Sequence, residues 1–63
     1  MSNKMAIQGV TSNLNYIEED VNAALSHAKD IKDPELTKKL NNIKSETEGV
    51  KDYLVARINP KQG

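Results

Sequence analysis

Apolar residues recur in alternating steps of three and four through the first half of this chain, at Ile7, Val10, Leu14, Ile17, Val21, Ala24, Ala28 and Ile31. A half-buried strand needs alternation at every second residue, so this spacing belongs to a helix. The repeat averages about 3.5 residues, slightly short of a helical turn, and the stripe stays on one side only if the helix bends gently around a neighbour. The pattern therefore asks for a second helix alongside the first.

That second helix is signalled at Asp33-Pro34-Glu35-Leu36. Asp33 suits the capping position, where a carboxylate accepts from free amides. Pro34 sits where no amide donor is missed, and Glu35 faces the positive end of the helix dipole. The stripe continues through Leu36, Leu40, Ile43, Thr47, Val50 and Leu54, and the helix has to stop near Asn59 because Pro60 follows. The reading is one domain over 1–63: a helix over about 4–31, a turn at 32–34, a helix over about 34–58 and a frayed tail at 59–63. Gly9, Val10 and Thr11 are weak helix formers, and Ser12 or Asn13 could cap a shorter first helix. The unbroken register from Val10 back to Ile7 favours a start at Asn3 or Lys4, frayed as far as Gly9.

So short a turn makes the helices antiparallel, with Ile31 near Leu36, Ala24 near Ile43, Ile17 near Val50 and Leu14 near Leu54. The fold class is all-α, a two-helix antiparallel hairpin with coiled-coil heptads. A chain of 63 residues is near the size below which one core needs outside help. Without Cys, and with His27 as the lone histidine, neither a disulfide nor a metal supplies that help. A homo-oligomer remains, and a dimer closing a four-helix bundle is the expected form. Leu25 and Ile58 widen the stripe on one side, and Ala6 and Tyr53 on the other. The expected oligomer and core seam is thus Ile7, Val10, Leu14, Ile17, Val21, Ala24, Leu25, Ala28, Ile31, Leu36, Leu40, Ile43, Thr47, Val50, Leu54 and Ile58. Tyr16, Tyr53 and Val55 form a candidate partner face, with scattered single exposure as the competing reading.

Nine Lys and Arg balance nine Asp and Glu, which removes the net attraction that drives binding to nucleic acid or anionic membrane. No apolar run is long enough for a signal-peptide core or a membrane span, and a cytoplasmic location is the expectation, in keeping with the absence of Cys. No nucleophile motif, phosphate-cradling glycine loop or metal-ligand cluster occurs, so no enzyme activity, cofactor, metal or small molecule is implied. Glu18, Glu19 and Asp20 are consecutive and fan around about 200° of a helix, which suits a solvated face better than a shared metal. Lys29, Lys32, Lys38 and Lys39 gather near the turn, but Asp30, Asp33 and Glu35 lie among them, and Glu35 precedes Lys39 by four residues, which favours a salt-bridged surface. Gly49, mid-helix, marks either a close backbone approach or a tolerated exposed site.

With heptads on both arms and a short turn near the middle at an Asp, the chain resembles the Rop type of plasmid-encoded RNA-binding hairpin. That resemblance implies an antiparallel bundle of two hairpins, with Lys4, Asn15, Tyr16, Glu19 and Asn22 on the outer face that would meet paired RNA loops. In its second arm, Asp33, Thr47, Val50, Asp52, Leu54, Arg57 and Ile58 give a faint resemblance to short helical proteins of spore-forming Bacillus and Clostridium, which implies a bacterial source and no particular activity. The leading expectation is a small non-catalytic protein that self-associates and acts by protein–protein interaction, as a regulator, inhibitor or structural element. The alternatives are a Rop-like RNA-binding regulator and a phage-encoded inhibitor of a host enzyme.

Overall fold

Asp33 organises the turn that joins the two halves of the chain. Its carboxylate oxygen Oδ1 accepts from the backbone N–H of Glu35 at 3.1 Å and of Leu36 at 3.2 Å, and its carbonyl accepts from the N–H of Thr37 at 3.1 Å. These bonds satisfy amides that a helix start leaves without partners. One residue earlier, Lys32 has a φ of 62°, the left-handed conformation that ends many helices, and its N–H donates to the carbonyl of Ala28 at 3.0 Å. In the computed structural model, which describes residues 3–58, helix α1 spans Asn3–Ile31 and helix α2 spans Pro34–Ile58. Among the described residues these two helices are the only regular elements, and the chain is an all-α antiparallel hairpin. The tail expected at 59–63, residues 1–2 and the side chain of Ile58 lie outside the described residues.

Helix α1 runs through Gly9 without a break. Thr11 and Thr47 belong to the region between the helices, and each disposes of its hydroxyl locally. Thr11 Oγ1 donates to the Ile7 carbonyl at 3.0 Å, and Thr47 Oγ1 to the Ile43 carbonyl at 2.8 Å. Thr47 is thereby buried to 7 % exposure with no orphaned polar atom.

The register is marked by a cross-helix contact, in which Lys51 Nζ donates to Glu18 Oε1 at 2.8 Å. Antiparallel pairing from that point puts Leu14 level with Leu54, Val21 with Thr47, and Ala28 with Leu40. Buried side chains are few: among the described apolar residues only Val21 and Ala28 are buried. The molecule is a flat slab of 44 × 24 × 12 Å with a radius of gyration of 14.6 Å. A globular chain of this length would have a radius near 11 Å.

Candidate interaction face

Burial along each helix shows which flank of the apolar stripe meets its neighbour. On α1 the buried or half-buried positions are Ile7, Thr11, Leu14, Glu18, Val21, Leu25 and Ala28, with Ala24 also half-buried beside them. On α2 they are Leu36, Thr37, Leu40, Lys44, Thr47, Lys51 and Leu54. The line of closest approach therefore runs between the central row (Leu14, Val21, Ala28, Leu40, Thr47, Leu54) and a mixed row that includes Thr11, Glu18, Lys44 and Lys51. Long Lys stems pack along apolar surface while their charged ends reach water, so such residues can cover a helix contact.

The other flank is left open. Val10 is 44 % exposed, Ile17 42 %, Ile31 64 %, Ile43 48 % and Val50 44 %. These aliphatic residues belong to the expected oligomer and core seam, and in the single hairpin they stay largely exposed on its flank. The cause is rotational phase: the two-residue connection sets α2 so that the mixed row faces inward, and each helix presents its aliphatic row to one side. Because the helices are antiparallel and the open row lies on the same side of the central row in each, the rows of both helices fall on one face of the slab. Leu14, Ile43, Glu46, Thr47 and Val50 accordingly line one open depression of about 290 Å³ on that face.

Thus one face of the hairpin carries Val10, Ile17, Ala24 and Ile31 beside Leu36, Ile43 and Val50, with Arg57 continuing the α2 row at the open end and the central row at its floor. Asp20 and His27 edge it on α1, Lys39, Glu46 and Tyr53 on α2, all exposed. Tyr16 and Val55, 64 % and 49 % exposed, stand further round their helices, so among the candidate partner residues only Tyr53 borders this face. The opposite face is mostly polar, with Gln8, Asn15, Asn22, Lys29, Asn41 and Glu48 on it, all exposed, and Val55 in the same row as Asn41 and Glu48.

Beside the turn lies a wider depression of about 640 Å³, lined by Ala28, Lys29, Lys32, Pro34, Thr37 and Lys38 among others. Asp33 also lines it, but its carboxylate is engaged by the α2 amides. Lys39 is bound to Glu35 at 3.5 Å, so of the four lysines near the turn one is ion-paired on the surface. No group of three or more His, Cys, Asp or Glu among the described residues is placed to hold a metal ion. Glu18 meets Lys51, whereas Glu19 and Asp20 are exposed on other sides of α1, so the acidic run does not converge. Among the described residues no helix is long and apolar enough to cross a membrane.

The sequence carries a signal for this arrangement. Glu18 and Lys51 are opposite charges at matching heights of an antiparallel hairpin, and pairing them assigns the mixed flank to the inside. No protein-family model, curated protein or solved structure matches the chain.

Proposed function

We propose that this chain is a small non-catalytic helical protein that self-associates through its aliphatic face and acts by protein–protein interaction, as a regulator, inhibitor or structural element. The supporting observation is the exposure of Val10, Ile17, Ile31, Ile43 and Val50 on one side of the hairpin. A contiguous apolar surface of this kind, edged by polar residues, marks an interaction site in soluble proteins. The area agrees. The chain exposes 5077 Å², whereas a compact monomer of 7.0 kDa would expose about 4,000 Å². The excess, on the order of 1,000 Å², is close to the ~800 Å² that each partner buries in a stable interface.

Two such slabs placed face to face make a four-helix bundle in which the central and aliphatic rows of all four helices become the interior, as in coiled-coil packing. Sedimentation equilibrium combined with thermal melts at increasing protein concentration tests the reading. The expected result is a dimer whose Tm rises with concentration, since a partner that binds only the folded state stabilises it by mass action. A monomer with a concentration-independent Tm overturns it. Ile43→Asp is expected to leave a species of monomer mass with a lower Tm.

A further inference from the structure

Nine Lys and Arg balance nine Asp and Glu over the whole chain, yet the two signs are not evenly mixed at the turn. The depression of about 640 Å³ there is lined by Lys29, Lys32 and Lys38, all exposed, and no ion pair reaches any of the three among the described residues. One carboxylate lines it, that of Asp33, and its Oδ1 already accepts from the Glu35 and Leu36 amides. Three cations against one carboxylate leave an excess of two positive charges. The other charged groups of this end do not cancel it. Glu35 is held by Lys39, and neither lines the depression. Asp30 stands about 200° round α1 from Ala28, on the outer side of the helix. Glu48 is on the polar face but about two turns beyond Asn41, and Lys44 precedes it by four residues. Lys4 and Arg57 lie at the open end of the hairpin.

The floor of the depression is less polar than its rim. Ala28 and Pro34 contribute to it, and lysine stems add methylene surface while their ammonium groups reach water. Asn41 adds an amide that both donates and accepts. A nucleic-acid backbone offers acceptors at its phosphates, and its bases are held by stacking on aromatic or arginine side chains. The depression has neither an aromatic ring nor an arginine. A peptide offers what these residues can use: carboxylates for the lysines, N–H and C=O groups for the asparagine, and apolar atoms for the floor. Lys29 and Asn41 belong to the polar face, so association through the aliphatic face leaves the depression open. Resting on the reading that the chain acts by binding protein, but not on its self-association, we propose that this depression docks an acidic segment of a protein partner, with Lys29, Lys32 and Lys38 meeting its carboxylates and Asn41 its backbone.

The test is fluorescence anisotropy of a labelled ten-residue peptide of glutamate and alanine, titrated with the 63-residue chain at low ionic strength. Saturable binding is expected, and none for the same peptide with glutamine in place of glutamate. Lys29→Gln and Lys38→Gln should each weaken binding roughly two- to fivefold, the effect of an exposed charge contact, whereas Lys4→Gln, an equal loss of charge at the open end, should leave it unchanged. Helical circular dichroism of all three variants is expected to match that of the unmodified chain, because these side chains are exposed. Equal weakening by Lys4→Gln means attraction by overall charge and overturns the site. Absence of binding also overturns it, and a dimer in sedimentation then leaves self-association standing. Tighter binding of a single-stranded RNA ten-mer, lost with the same lysines, overturns the choice of a protein segment. A monomer that still binds the peptide through Lys29 and Lys38 supports the site and overturns self-association alone.

Discussion

Replacing Glu18 by Gln and Lys51 by Met, singly and together, isolates an ion pair that ties the helices to each other. Its charged atoms are 2.8 Å apart, and the side chains are 20 % and 28 % exposed. At that separation the attraction between unit charges is about 1.5 kcal/mol in bulk water and about 6 kcal/mol at an effective dielectric of ~20. Much of the larger figure is offset by removing both groups from water and by ordering two long side chains. A net coupling of about 1 to 1.5 kcal/mol is left. The Glu35–Lys39 pair is an internal control: the same chemistry at 3.5 Å, one helical turn apart, with both side chains 68 % exposed. Its coupling should not exceed about 0.5 kcal/mol. Urea denaturation followed by helical circular dichroism, at one fixed protein concentration, gives the double-mutant cycle for each pair. The Glu18–Lys51 coupling should also persist better in high salt, because partly buried charges are screened less. A coupling no larger than that of Glu35–Lys39 would refute the assignment of this flank to the interior of the hairpin.

A methyl added at Gly9 or Gly49 meets no side-chain or distant backbone atom within 4 Å, and both residues lie inside helices. Gly9→Ala and Gly49→Ala should each stabilise the protein by about 1 kcal/mol and act additively in melts, since the sites are on different helices; a loss of stability at Gly49 in the dimer would instead reveal a close approach by the second copy. Lys32→Gly should stabilise by roughly 0.5 to 1 kcal/mol, because glycine adopts the left-handed φ of 62° without the strain a side chain brings. Asp33→Ala, which removes the acceptor of two amide bonds, should cost about 1 kcal/mol, and Asp33→Asn should recover most of it.

The hairpin was legible in the sequence because local chemistry dictates it. The three-and-four spacing from Ile7 to Ile31 fixes a helix, and Asp33-Pro34 can hardly do anything but end one helix and begin another. The central row of Leu14, Val21, Ala28, Leu40, Thr47 and Leu54 follows from the same spacing. What the spacing does not contain is the rotation of one helix about its axis relative to the other. An apolar stripe two residues wide has two flanks, and periodicity treats them alike. Val10, Ile17, Ile31, Ile43 and Val50 read as interior residues for that reason, while Thr11, Glu18, Lys44 and Lys51 read as surface. A local hydrogen bond for Thr11 and an ion pair for Glu18 with Lys51 make the mixed flank acceptable inside.

The two-residue connection at Lys32-Asp33 thus acts as a phase lock between two helices that are each amphipathic on their own. One residue more would advance α2 by about 100° of helical rotation unless the turn absorbed it. Ile43 and Val50 would swing away from the side that carries Val10 and Ile17, and the joint apolar surface would split into two narrow stripes facing different ways. Surface connections ordinarily accept insertions freely. Here the length of the shortest segment decides whether two helices share one face, so the turn should be the place in this chain least tolerant of a change in length.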